Sequence, residues 1–122
     1  MTSASLPRRP TPGGPGRCGR GTMPRMAAYV LVEVHVTDPE PYAAYRDMAT
    51  ASVAAHGGRF LVRGGAVTPL EGNWHPERLV VIAFDTMQAA RDWYGSSDYQ
   101  TALAVRLANS VGRALMVEGY EP

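Results

Sequence analysis

Glu33 and His35 stand two residues apart in the run YVLVEVHV (29–36), so on an extended chain both side chains leave the same side. A carboxylate whose pKa is raised by burial and an imidazole near neutrality make a pair of proton carriers, suited to acid–base chemistry on a small carbonyl, aromatic or enolisable compound. Arg63 and Arg78 bracket a glycine-containing stretch, and the planar fork of either could hold a substrate carboxylate or enolate. Tyr45, Trp93 and Tyr99 lie on stretches with helical apolar spacing, where hydroxyls can donate into a cavity. Arg106, seven residues after Tyr99, returns to about the same helical face. Glu33 and His35 are therefore the catalytic candidates, and Arg63, Arg78, Tyr45, Trp93, Tyr99 and Arg106 the substrate-binding ones.

Each of these residues also has a plainer role. A glutamate facing arginine on a buried surface is commonly a structural ion pair, and the aromatic residues suit a core. His35 sits at a strand end, where a solvated ring is ordinary. His56 precedes Gly57-Gly58, where a ring at a helix C-terminus suits the dipole. No metal site is expected, because His35, His56 and His75 have no paired ligand spacing. The glycine pairs 57–58 and 64–65 flank a strand instead of opening a helix, so they do not form a phosphate loop. No cofactor is expected.

The elements that must position these residues follow from periodicity. β-branched alternation predicts strands over about 28–36, 59–63, 78–84 and 112–120. Asp38-Pro39 opens a helix of about 39–56, which Gly57-Gly58 stops, and Asp85 or Thr86 opens a second of about 87–94. Gly95-Ser96 breaks that helix, and Ser96 or Ser97 caps a further segment to about Leu107. Residues 64–77 form a long loop. The order β-α-β-β-α-β predicts an α+β ferredoxin-like sandwich, with an antiparallel sheet carrying its helices on one face.

Alternation assigns the sides. Val30, Val32, Val34 and Val36 should lie under the helices, with Tyr29, Leu31, Glu33 and His35 opposite. On the second strand Phe60 and Val62 should face the helices, leaving Arg59, Leu61 and Arg63 on the side of Glu33. The third strand, RLVVIAF, is apolar on both sides. If helices cover one face only, a second copy of the chain is the simplest cover for the other, and a homodimer is expected.

The stretches HGGRFLVRGG (56–65), Leu70-Glu71-Gly72, ERLVVIAF (77–84), WYGSSDYQ (93–100), Arg106 and VEGY (117–120) together resemble the bacterial family named domain of unknown function 1330, in the dimeric α/β-barrel superfamily. The resemblance spans Tyr29 to Gly119. It implies a ferredoxin-like protomer whose sheet packs on that of its mate, and no established reaction; superfamily relatives include cofactor-free monooxygenases, isomerases and haem-degrading enzymes. The expectation is a small dimeric protein acting as a cofactor-independent enzyme of the monooxygenase or isomerase kind on a small organic compound. The alternative is a homodimer that binds a small molecule without turnover, or is purely structural.

The remaining chain carries a different composition. Residues 1–25 hold five arginines, no acid, five glycines and five prolines, whereas 26–122 hold seven arginines against eleven acids. Such a leader is expected to be disordered and to lie outside the domain of 26–122. Its arginines lack interleaved aromatics and a basic fold beside them, so no nucleic acid is expected as partner. Cys18 is the single cysteine and excludes an internal disulfide. No apolar run reaches the roughly 18 residues of a membrane span, so a cytoplasmic protein with no membrane partner is expected.

Overall fold

The computed structural model describes residues 27–120, and the expectation for the leader falls outside them. Strands β1 (Ala28–Val36), β2 (Arg59–Arg63), β3 (Arg78–Phe84) and β4 (Ser110–Glu118) form one antiparallel sheet in the order β2-β3-β1-β4. Helices α1 (Pro39–Ala55), α2 (Met87–Gly95) and α3 (Ser97–Asn109) supply the second layer. None of these helices is long and apolar enough to cross a membrane.

Local chemistry explains the boundaries. Pro39 occupies the first turn of α1 after Asp38, and the helix stops where Gly57 and Gly58 donate their amides back to the carbonyls of Ala54 and Val53. Thr86 caps α2 by accepting from the Ala89 amide, and Ser96 caps α3 by accepting from the Tyr99 amide. Helix α3 runs two residues beyond the expected Leu107, and β4 begins directly at Ser110. At Gly112 the backbone of β4 passes so close to the Glu33 carbonyl on β1 that a Cβ would have no room.

One side of the sheet makes the core. Val30, Val32 and Val34 of β1 and Val80, Ile82 and Phe84 of β3 pack with Tyr42, Tyr45, Ala49 and Val53 of α1 and with Trp93, Tyr99 and Leu103 of the later helices. The sides assigned to β1 are those observed. On β2 the alternation expected from sequence fails, because the pairing with β3 slips between Phe60 and Val62. Phe60 lies opposite Ile82 on the helix side, but Val62 then pairs with Val81 and Arg63 with Val80. A bulge adds one unpaired residue and so exchanges the faces of everything after it. Arg63 therefore lies on the helix side, not beside Glu33, and Val62 on the open side.

Candidate functional site

Helix α1 crosses the sheet above β1 and β3, and a narrow cleft remains between them. Its walls are Val32, Val34, Tyr42, Tyr45, Ala49, Phe60, Val80 and Ile82. The inner part is about 20 Å³, the size of a single water. It shares Arg46, Arg63 and Arg78 with a wider mouth of about 310 Å³, which Asp47 and Thr50 complete. The β2 bulge brings Arg63 here, and Arg78 arrives by ordinary alternation as the residue opposite Val34.

Each arginine is positioned differently. Arg63 places its guanidinium 3.9 Å from the centre of the Phe60 ring and donates from Nη2 to the backbone carbonyl of Arg46 at 2.9 Å. Arg78 lays its guanidinium against Gly64, where any Cβ would collide with it; Gly64 also has φ +78°. The Nε of Arg78 is buried and has no hydrogen-bond acceptor among the described residues. Such an unmade bond costs about 1–3 kcal/mol. Burial above all, then the neighbouring charges of Arg78 and Arg46, lowers the pKa of Arg63 below the ordinary arginine range. Among the described residues the ion pairs are Arg113 with Glu33 and His35 with Glu77, so none of these three arginines has a carboxylate partner.

Behind the cleft the aromatic candidates satisfy one another. Tyr45 and Tyr99 join their hydroxyls at 3.0 Å, and Trp93 Nε1 donates to Ser52 Oγ at 3.0 Å, while that hydroxyl donates to the Ala49 carbonyl at 3.1 Å. The Trp93 and Tyr99 rings pack at a tilt of 39° with centroids 4.1 Å apart, and each residue is 1% exposed. Burial first, and then the Tyr99 hydroxyl, pushes the Tyr45 phenol far above its ordinary pKa, so it stays protonated and its oxygen serves hydrogen bonding, not base catalysis. Arg106 is buried nearby with an Nε that lacks an acceptor among the described residues. The structure brings Tyr45, Arg63 and Arg78 to the cleft. Trp93 and Tyr99 stand behind it.

The catalytic candidates are on the other side of the sheet. Glu33 accepts from Arg113 Nε at 2.9 Å across the β1–β4 pair, and His35 pairs through Nδ1 with Glu77 at an exposed position. A hollow of about 270 Å³ adjoins Glu33, lined by Leu31, Trp74, Leu79, Arg113, Ala114 and Leu115. Trp74 reaches it from the long loop. His56 donates from Nδ1 to the Ser52 carbonyl at the end of α1, the capping geometry expected of it. Among the described residues no three His, Cys, Asp or Glu side chains gather as a metal site requires.

Arg46, Ser52 and Arg113 were not among the sequence candidates. Arg46 and Thr50 stand one helical turn apart, and that spacing would have placed both on one rim of α1. Nothing comparable points to Arg113, which meets Glu33 only through the register of two strands far apart in sequence.

A four-stranded antiparallel sheet in this order, with its helices on one side, defines the protein as a ferredoxin-like α+β sandwich. Residues 27–120 match the family described as domain of unknown function 1330, and the chain belongs to it. It is similar to the crystal structure of a protein of unknown function from Rhodopseudomonas palustris, with a TM-score of 0.66 at 18% identity, covering 92% of this chain and 97% of that one. It is also similar to SnoaB, a cofactor-independent oxygenase from Streptomyces nogalater, with a TM-score of 0.52 at 17% identity, covering 81% of this chain and 97% of that one. No curated protein matches the sequence.

Proposed function

We propose that the protein binds a small organic compound at the mouth of the cleft beneath α1 and works as a homodimer whose sheets pack face to face into an α/β barrel. The observation that carries the binding reading is the mouth of the cleft, a hollow of about 310 Å³ that gathers Arg46, Arg63 and Arg78, none of which has a carboxylate partner among the described residues. Pairing is supported by the open side of the sheet, where Leu61, Val62, Val111, Leu115 and Val117 are all exposed. The two parts of the reading are compatible, because the cleft and the pairing surface occupy opposite sides of one sheet.

A screen of small aromatic and aliphatic compounds by ligand-observed NMR tests the first part. Thr50 is exposed on the rim, so Thr50→Trp should fold and close the mouth. Binding should disappear in that variant, and binding that survives it overturns the cleft as the site. For the second part, sedimentation should give about twice the chain mass at micromolar concentration, with Leu115→Asp returning a folded monomer. A wild-type monomer at that concentration overturns the pairing.

A second reading rests on the hollow at Glu33. Apolar side chains surround its carboxylate, and a mate would enclose it, which is the setting in which Glu33 and His35 would transfer protons without a cofactor. Arg113 Nε donates to the Glu33 carboxylate at 2.9 Å and holds it at the edge of the hollow. Turnover lost in Glu33→Gln with binding retained would support this reading.

A further inference from the structure

We propose that the mouth formed by Arg46, Arg63 and Arg78 is a binding site for a small organic dianion, a phosphomonoester or a dicarboxylate. The inference rests on the cleft reading above and names the chemical class of its ligand.

Three guanidinium groups line one mouth, and Asp47 is the single acid beside them, so the lining carries a formal charge of +2. Like charges brought together repel, and an assembly of this kind in a folded protein implies a counter-charge. Among the described residues Asp47 offsets one of these charges without pairing to any of them, and neither ion pair involves these arginines. Two of the groups are nevertheless held in place. Arg63 is fixed by the Phe60 ring and the Arg46 carbonyl, and Arg78 by the glycine whose missing side chain leaves room for its guanidinium. Nε of Arg78 remains buried without an acceptor among the described residues, so this guanidinium is only partly satisfied by the protein itself.

Planar guanidinium forks match the oxygens of carboxylate and phosphate in pairs, which an ammonium group does not. A dianion neutralises the lining, whereas a monoanion leaves it positive. Volume adds a constraint. The mouth, at about 310 Å³, is of the size that accommodates a small molecule, while the water-sized inner cleft admits no ring. The body of the ligand therefore remains at the mouth, with its charged group among the arginines.

Calorimetry with phenyl phosphate, phthalate and neutral benzamide tests the proposal on the full chain. At least one dianion should bind at least about tenfold more tightly than benzamide, and added salt should weaken the dianion alone. Which of the two binds more tightly separates phosphomonoester from dicarboxylate. Arg46 is exposed, so Arg46→Met should fold; it and Arg78→Met, with folding checked by circular dichroism, should each weaken the dianion about tenfold and leave benzamide unchanged. Dianion affinity unmoved in Arg46→Met, or dianion binding that survives Thr50→Trp, overturns the assignment. Absence of dianion binding overturns it too, and the neutral screen still decides separately whether the cleft is a site.

Discussion

The two sides of this sheet are made from similar residues and end in opposite states. Beneath the helices, Val30, Val32, Val34, Val80 and Ile82 are buried by side chains that the same chain provides. On the other side Val111 is 66% exposed and Leu115 59% exposed, although both are as apolar as their counterparts. The polar groups differ in the same sense. Under the helices, Tyr45, Tyr99, Trp93 and Ser52 complete one another's hydrogen bonds, whereas the open side carries the exposed pairs of Glu33 with Arg113 and His35 with Glu77. Strands buried on both sides lack alternation, so the contrast separates the side that stabilises the protomer from the side its own helices leave uncovered.

Mutations can break this contrast in order of effect. Trp93→Ala should be the most damaging, at about 3–5 kcal/mol, because it empties the centre of the helix layer and removes the donor that Ser52 Oγ accepts from; a urea midpoint close to wild type would show that the covered side is not the source of stability. Tyr45→Phe should cost about 1–2 kcal/mol, since the Tyr99 hydroxyl loses its partner in a buried place. Its counterpart on the open side, Glu33→Gln, should cost less than about 1 kcal/mol when measured at concentrations too low for association, because Arg113 is 78% exposed in its side chain and its charge is solvated. A loss as large as that of Tyr45→Phe would mean that the two polar sets are equivalent.

The smallest effect is expected outside both sides, at Asp98 in the first turn of α3. Its hydrogen bond with Ser96 is the main reason that its pKa lies below the ordinary 3.8. A carboxyl depressed by folding stabilises the protein above its unfolded pKa, and that contribution is lost as the pH falls through the lower folded value. The difference in melting temperature between wild type and Asp98→Asn should therefore be present at pH 7 and close by about pH 2. A difference that persists there would assign the effect to something other than the charge.

How far the site could be read from residues alone depends on the distance over which each feature is set. Tyr45 and Arg78 could be placed because α1 and β3 keep their local periods from end to end. Arg46 needed only the helical turn that joins it to Thr50. Arg63 could not be placed, because the slip between Phe60 and Val62 is a property of the β2–β3 pairing and leaves no mark in RFLVR itself. Reading it with strict alternation assigned Arg63 to Glu33. The actual partner of Glu33, Arg113, lies eighty residues away and is selected by register.

By itself the sequence determined the four strands, the helical segments and the ferredoxin-like order, since these depend on periods of two and 3.6 residues; it narrowed two caps to neighbouring residues, of which Thr86 and Ser96 serve, whereas the Asp38 side chain makes no cap bond. It also determined that the third strand is apolar on both sides. Only the tertiary structure decided which arginines meet. The convergence of Arg46, Arg63 and Arg78 depends on where α1 lies over the sheet, on one bulge, and on the space left by the missing side chain of Gly64. Those are relations between elements, fixed by packing and pairing across the chain, and no local pattern of residues carries them.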